Sequence, residues 1–152
     1  MSKKLYIGLD AGVNGGMAFI HENDGEISSK AFRCPRDIES MVNNLEFEIE
    51  DYSPEEIFCV TEWVWAFPGD GKKSAFKFGY NYGTWLGILA SHRIDYEEVT
   101  PKQWMNYFNM PPKMDKKERK RCATAIYQRN TFEKTLIEKI ILKKEKMIIL
   151  IT

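Results

Sequence analysis

Residues 6–19 read Tyr6-Ile7-Gly8-Leu9-Asp10-Ala11-Gly12-Val13-Asn14-Gly15-Gly16-Met17-Ala18-Phe19. An apolar run from Leu5 to Leu9 stops at Asp10, passes through a glycine-rich turn and resumes as a second apolar run, Met17 to Ile20. Two β-strands around a tight turn fit this pattern. His21-Glu22-Asn23-Asp24-Gly25 is a second turn signal, and 27–34 reads as a third strand, so the chain opens as an antiparallel meander.

Working outward, Ile38, Met41, Val42, Leu45 and Ile49 recur at spacings of three and four, which predicts an amphipathic helix with an acidic polar face. Ile57 to Thr61 is a compact, β-rich run of the kind buried in sheet centres, and it ends in Glu62. Two strands therefore each end in a carboxylate. A glycine-containing loop, 67–73, precedes a helix expected over Ala75–Ser91 with Ser74 as its cap. Gly79, Gly83 and Gly87 line one face of that helix, which permits close approach of another backbone. Tyr96 to Thr100 reads as a strand, Pro101 suits the first turn of a helix to Phe108, and Asp115 to Tyr127 reads as a basic helix. The order βββαβαβαα specifies an α/β fold with a mixed sheet. The last twenty residues carry no clean helical stripe, while Met147 to Ile151 is acceptable as a strand.

The 152 residues suit one domain, 1–152, and a composition 43% hydrophobic and 29% charged is that of a globular chain. Lys and Arg total 22, as do Asp and Glu, which by itself argues against a nucleic-acid partner. The charges are segregated, however. Eight acids and no Lys or Arg fall between Asp37 and Glu56, whereas Lys113 to Lys146 hold twelve bases against five acids. Cys34, Cys59 and Cys122 are an odd, widely spaced set without a CxxC pair, so reduced core thiols are expected. With no signal-peptide pattern and no membrane-length apolar run, the chain reads as cytoplasmic.

His21 and His92 lie far apart in sequence and near no GxSxG or HExxH motif, so packing or surface roles are expected for both. The carboxylates remain. Strand-end acids in such a sheet gather at one edge, and hard oxygen ligands of that type suit Mg²⁺, with Mn²⁺ able to substitute. Cations in such a site can activate water and stabilise the departing 3′ oxygen of a phosphodiester in an in-line displacement.

The 6–19 segment resembles the first strand and turn of the RuvC-type Holliday junction resolvases, particularly their phage members. The resemblance continues through Val60-Thr61-Glu62, Phe67-Pro68-Gly69, Phe76-Lys77-Phe78-Gly79, Gly83 with Leu86 and Gly87, Val99-Thr100-Pro101-Lys102-Gln103-Trp104, and Asp115-Lys116. It implies an RNase H-like fold with a five-stranded mixed sheet, three strands antiparallel and two parallel, flanked by helices. It also implies a homodimer and Mg²⁺-dependent nicking of opposed strands of a four-way DNA junction or related branched DNA, leaving 5′ phosphates. Asp10 and Glu62 fall on the family's first two catalytic, metal-holding carboxylates. Phe67, Lys72 and Lys73 lie where the family meets the junction centre, and Lys116 lies on its DNA-facing basic region.

The basic span adds Lys113, Lys117, Arg119, Lys120 and Arg121 as phosphate contacts, and Phe76 and Phe78 join Phe67 as candidates for stacking on unpaired bases, with core packing expected for at least two of the three. Residues 128–152 depart from the family pattern of two acids three residues apart. Glu145 is the candidate for one of them, as a catalytic and metal-binding residue, and Ile148 occupies the partner position, with Glu138 and Glu133 as further candidates. A junction-binding protein with weak or no cleavage is therefore an alternative. An actin-like ATPase fragment, suggested by the glycine turn, is a third reading and would require a second such domain.

Overall fold

The computed structural model describes residues 3–12, 15–63, 65, 69, 71–107, 109–111, 114, 115, 117, 118 and 121. Strands β1 (Lys3–Leu9), β2 (Gly16–Asn23) and β3 (Glu26–Arg33) form the meander. Helix α1 (Ile38–Ile49) and a short 3₁₀ turn (Pro54–Glu56) lead to β4 (Ile57–Glu62), which is followed by α2 (Lys72–Ser91), β5 (Tyr96–Val99) and α3 (Pro101–Tyr107). The sheet order is β3-β2-β1-β4-β5, with β1, β2 and β3 antiparallel to one another and β4 parallel to both β1 and β5. This is a five-stranded mixed sheet, three strands antiparallel and two parallel, as expected from the sequence.

Local chemistry explains the elements. Asn23 pairs with Glu26, leaving the two-residue turn Asp24-Gly25, whose φ values of 48° and 85° are both positive. That left-handed geometry matches the twist of a hairpin and is easiest for glycine. Asp37 caps α1 by accepting the Ser40 N–H at 2.8 Å. Leu5, Ile7 and Leu9 of β1 alternate into a core shared with Met17, Phe19, Met41, Leu45, Cys59, Trp85 and Leu89. The opposite face of β1 and its neighbours is also buried at Tyr6, Ala18 and Val60, which accounts for near-continuous apolar runs in the central strands.

The structure corrects two expectations. Helix α2 begins at Lys72, not Ala75. The Gly71 carbonyl accepts the N–H groups of Ser74 and Ala75, so Gly71 is the cap and Ser74 lies inside the first turn. A Cβ built on Gly79, Gly83 or Gly87 meets nothing within 4 Å, so no backbone packs against that stripe among the described residues. The acidic side of α1 is not wholly solvated either. Glu48 is buried, because positions 41, 45 and 48 share the face that turns to the core. Phe76 is exposed, with its ring stacked 6.4 Å from that of Tyr80, and Phe78 is half-buried. Cys34 and Cys59 are buried free thiols, while Cys122 lies outside the described residues. Among the described residues, no helix is long and apolar enough to cross a membrane.

Candidate functional site

The parallel pairing of β1 with β4 aligns Leu9 with Thr61, so Asp10 and Glu62 are the next residues along two neighbouring strands. Adjacent strands lie about 4.8 Å apart, which brings two carboxylates to one sheet edge. Both residues are half-buried.

The Asp10 turn is held from several sides. Asp10 donates its N–H to the Gly16 carbonyl at 2.9 Å, Gly15 donates to Gly12 at 2.9 Å, and Cys34 donates to Gly15 at 3.1 Å. One Asp10 carboxylate oxygen accepts the Gly12 N–H at 3.0 Å, an Asx turn. Gly15 is required here because a Cβ at that position would lie 1.9 Å from the Asp10 carbonyl oxygen. From α2, Asn81 donates its side-chain amide to the Ala11 carbonyl, and the Phe78 ring reaches toward Gly12. The Cys34 thiol donates to the Asp10 carbonyl at 3.3 Å. Burial, with the nearby Asp10 charge, pushes that thiol up to about 12, so it stays protonated and inert.

Glu62 ends β4, whose edge is tied to β5 by the Trp63 N–H bonded to the Val99 carbonyl at 2.7 Å. The indole N–H of Trp104, a buried residue of α3, donates to Glu62 Oε2 at 2.6 Å. Directly after Glu62, Trp63 and Trp65 are exposed at 41% and 61%, with ring centroids 5.3 Å apart. Sequence reasoning overlooked this pair. The signal was present as two tryptophans two residues apart beyond the end of a strand, where no core remains to cover them.

Lys72 and Lys73 are exposed in the first turn of α2, and its cap, Gly71, contributes no side-chain hydrogen bond. Two cations at the positive end of a helix dipole repel it, so this helix start favours an anion. Lys72 lies about 9 Å of helix rise before Phe78, whose ring lies toward the Asp10 turn. Asp115 accepts the N–H groups of Lys117 and Glu118 at 2.8 Å each, and Glu118 reaches back to the Asp115 N–H at 3.3 Å, a capping-box pair where the basic helix is expected to start; most of that segment lies outside the described residues. Lys117 and Arg121 are exposed. Phe67, Lys113, Lys116, Arg119, Lys120 and Glu145 lie outside the described residues.

Among the described residues, no group of three His, Cys, Asp or Glu side chains could hold a metal ion. Asp10 and Glu62 supply two, and both are hard carboxylate oxygens with access to solvent, which fits Mg²⁺ or Mn²⁺ in kind.

No family model matches the chain, and no curated protein matches it. Among solved structures, the Thermus thermophilus RuvC structure aligns with a TM-score of 0.49 at 14% identity, covering 80% of this chain and 79% of that one. T. thermophilus RuvC in complex with Holliday junction substrate aligns with a TM-score of 0.44 at 12% identity, covering 68% of each chain. YeaZ from Pseudomonas aeruginosa aligns with a TM-score of 0.37 at 11% identity, covering 64% of this chain and 44% of that one.

Proposed function

We propose that this chain is a metal-dependent endonuclease that nicks branched DNA, with the four-way junction as its preferred substrate. The observation that carries the reading is the pair of carboxylates, Asp10 and Glu62, at the ends of neighbouring parallel strands β1 and β4. Asp10 and Glu62 would hold Mg²⁺, with Mn²⁺ substituting, and Glu145 is the candidate for a further ligand. The bound cation would supply an activated water and stabilisation of the leaving 3′ oxygen.

The chain's own groups would do the rest. The Asx turn at Gly12 orients the Asp10 carboxylate, and the Asn81 bond to Ala11 keeps the turn seated against α2. Trp63 and Trp65 offer π-faces to bases unstacked at the crossover, a contact that tolerates any sequence. Lys72, Lys73, Lys117 and Arg121 offer positive charge to the phosphates on either side. Two opposed nicks at one junction require two such sites, which a homodimer would provide.

The test is a four-way junction labelled on each strand in turn. Paired nicks in Mg²⁺, absent in EDTA, are expected, and Asp10→Asn should slow them about 10³-fold, since metal assistance supplies several kcal/mol of transition-state stabilisation. Junction affinity measured in EDTA should stay unchanged. Tight binding by the wild type with no nicking in Mg²⁺ or Mn²⁺ would instead identify a junction-binding protein.

A further inference from the structure

We infer that Trp104 is a positioning residue for the Glu62 carboxylate: its indole N–H fixes Oε2, and with it the carboxylate at the strand end beside that of Asp10. The inference rests on the nuclease reading of this site and deepens it.

The local sequence is built to deliver that indole. Thr100 caps α3, accepting the Gln103 N–H on its hydroxyl at 3.3 Å, while Gln103 Oε1 accepts the Thr100 N–H and hydroxyl at 2.8 Å each. This reciprocal capping box, with Pro101 at the first helical position, sets the entry of the helix from β5. The next residue is Trp104. Its ring is 9% exposed, so the side chain cannot swing into water without losing its packing. A buried indole N–H left unpaired costs about 1–3 kcal/mol, which holds donor and acceptor together. At 2.6 Å the bond is short, as expected for a charged acceptor.

The donor is also neutral. A lysine or arginine here would orient the carboxylate but cancel the charge that a cation needs, whereas an indole orients it and leaves the charge in place. Partners behind a metal ligand that act this way typically change metal affinity about 10- to 100-fold when removed.

Trp104→Phe keeps an aromatic ring while deleting the indole donor, at the cost of some buried volume. Its fold is checked by circular dichroism and Tm. We expect Mn²⁺ affinity, measured by calorimetry without DNA, to fall about tenfold, and kcat for nicking to fall with junction affinity unchanged. A second measurement needs no activity. The Trp104 indole ¹H–¹⁵N signal, assigned by its loss in Trp104→Phe, should lie downfield of those of Trp63, Trp65 and Trp85 and move upfield in Glu62→Gln. If the wild type binds Mn²⁺ and nicks junctions but Trp104→Phe matches it in both, or the signal ignores Glu62→Gln, the positioning role is overturned alone. A wild type that binds no Mn²⁺ overturns this role together with the nuclease reading.

Discussion

Glu48 and Asp10 lie at opposite ends of the β1 register, and their surroundings treat them differently. At the Leu5 end, His21 of β2 and Lys30 of β3 close on the buried Glu48, with His21 Nε2 at 3.2 Å and Lys30 Nζ at 3.1 Å. His21 Nδ1 in turn meets the Tyr52 hydroxyl at 3.0 Å. This network joins two strands, α1 and the segment after it, and it satisfies its members. At the Leu9 end, Asp10 and Glu62 stay half-exposed, Asp10 accepting a backbone N–H and Glu62 an indole N–H. One carboxylate is used to hold the fold together, and the other two are held by donors at the ends of neighbouring strands. A bare count of acids does not distinguish these roles, but the partners do.

The sharpest break in that comparison is Asp10→Asn. Beyond the roughly 10³-fold loss of nicking, it should leave Tm within about 2 °C of the wild type or raise it, because it relieves like-charge repulsion without opening the core. A large fall in Tm would make Asp10 a structural residue like Glu48. The mirror variant is Glu48→Gln, which weakens two charge-assisted bonds at a buried site. A loss of about 2 kcal/mol is expected, read as a Tm fall of about 4–8 °C for a chain of this size. The nicking rate at 25 °C should be untouched.

Trp65→Ala is a smaller test at the site end. Losing one stacking surface should weaken junction binding about tenfold, within the range for base–aromatic contacts, while a plain duplex should bind as before. Equal losses for junction and duplex would remove Trp65 from the crossover.

How much of this was legible in the sequence follows the same division. All five strands, α1 and α3 could be placed from apolar runs, the three-and-four spacing of α1 and the turn or capping residues that bound them, although β3 buries no residue fully. Asp10 and Glu62 could be placed together since both end buried runs. Glu48 could not be read as buried from its charge, although its spacing from Met41 and Leu45 put it on the core face. The start of α2 was misread because Ser74 is the stronger cap by residue type, whereas the backbone carbonyl of Gly71 is the group that serves. The bond from Trp104 to Glu62 joins residues 42 apart and depends on how α3 leaves β5. No local pattern carries such information.

The smallest effect separates a surface pair from the buried network. His92, at the C-terminal end of α2, places Nδ1 2.9 Å from the Ile88 carbonyl and Nε2 3.1 Å from Glu46 Oε1. The Ile88 carbonyl first, and Glu46 after it, hold the imidazole above its ordinary value despite partial burial, which acts the other way. A histidine raised in the folded state stabilises fully below its unfolded value, about 6.5, and loses that contribution as pH rises through the folded value. Glu46 is 55% exposed, so solvent screening limits the pair to a few tenths of a kcal/mol. His92→Gln should therefore lower Tm by about 1 °C at pH 5.5 and leave it unchanged at pH 8.5. A deficit that persists at pH 8.5 would show that the side chain holds the α2 terminus by packing and not by charge, which would place His92 with the Glu48 network as a fixed part of the fold.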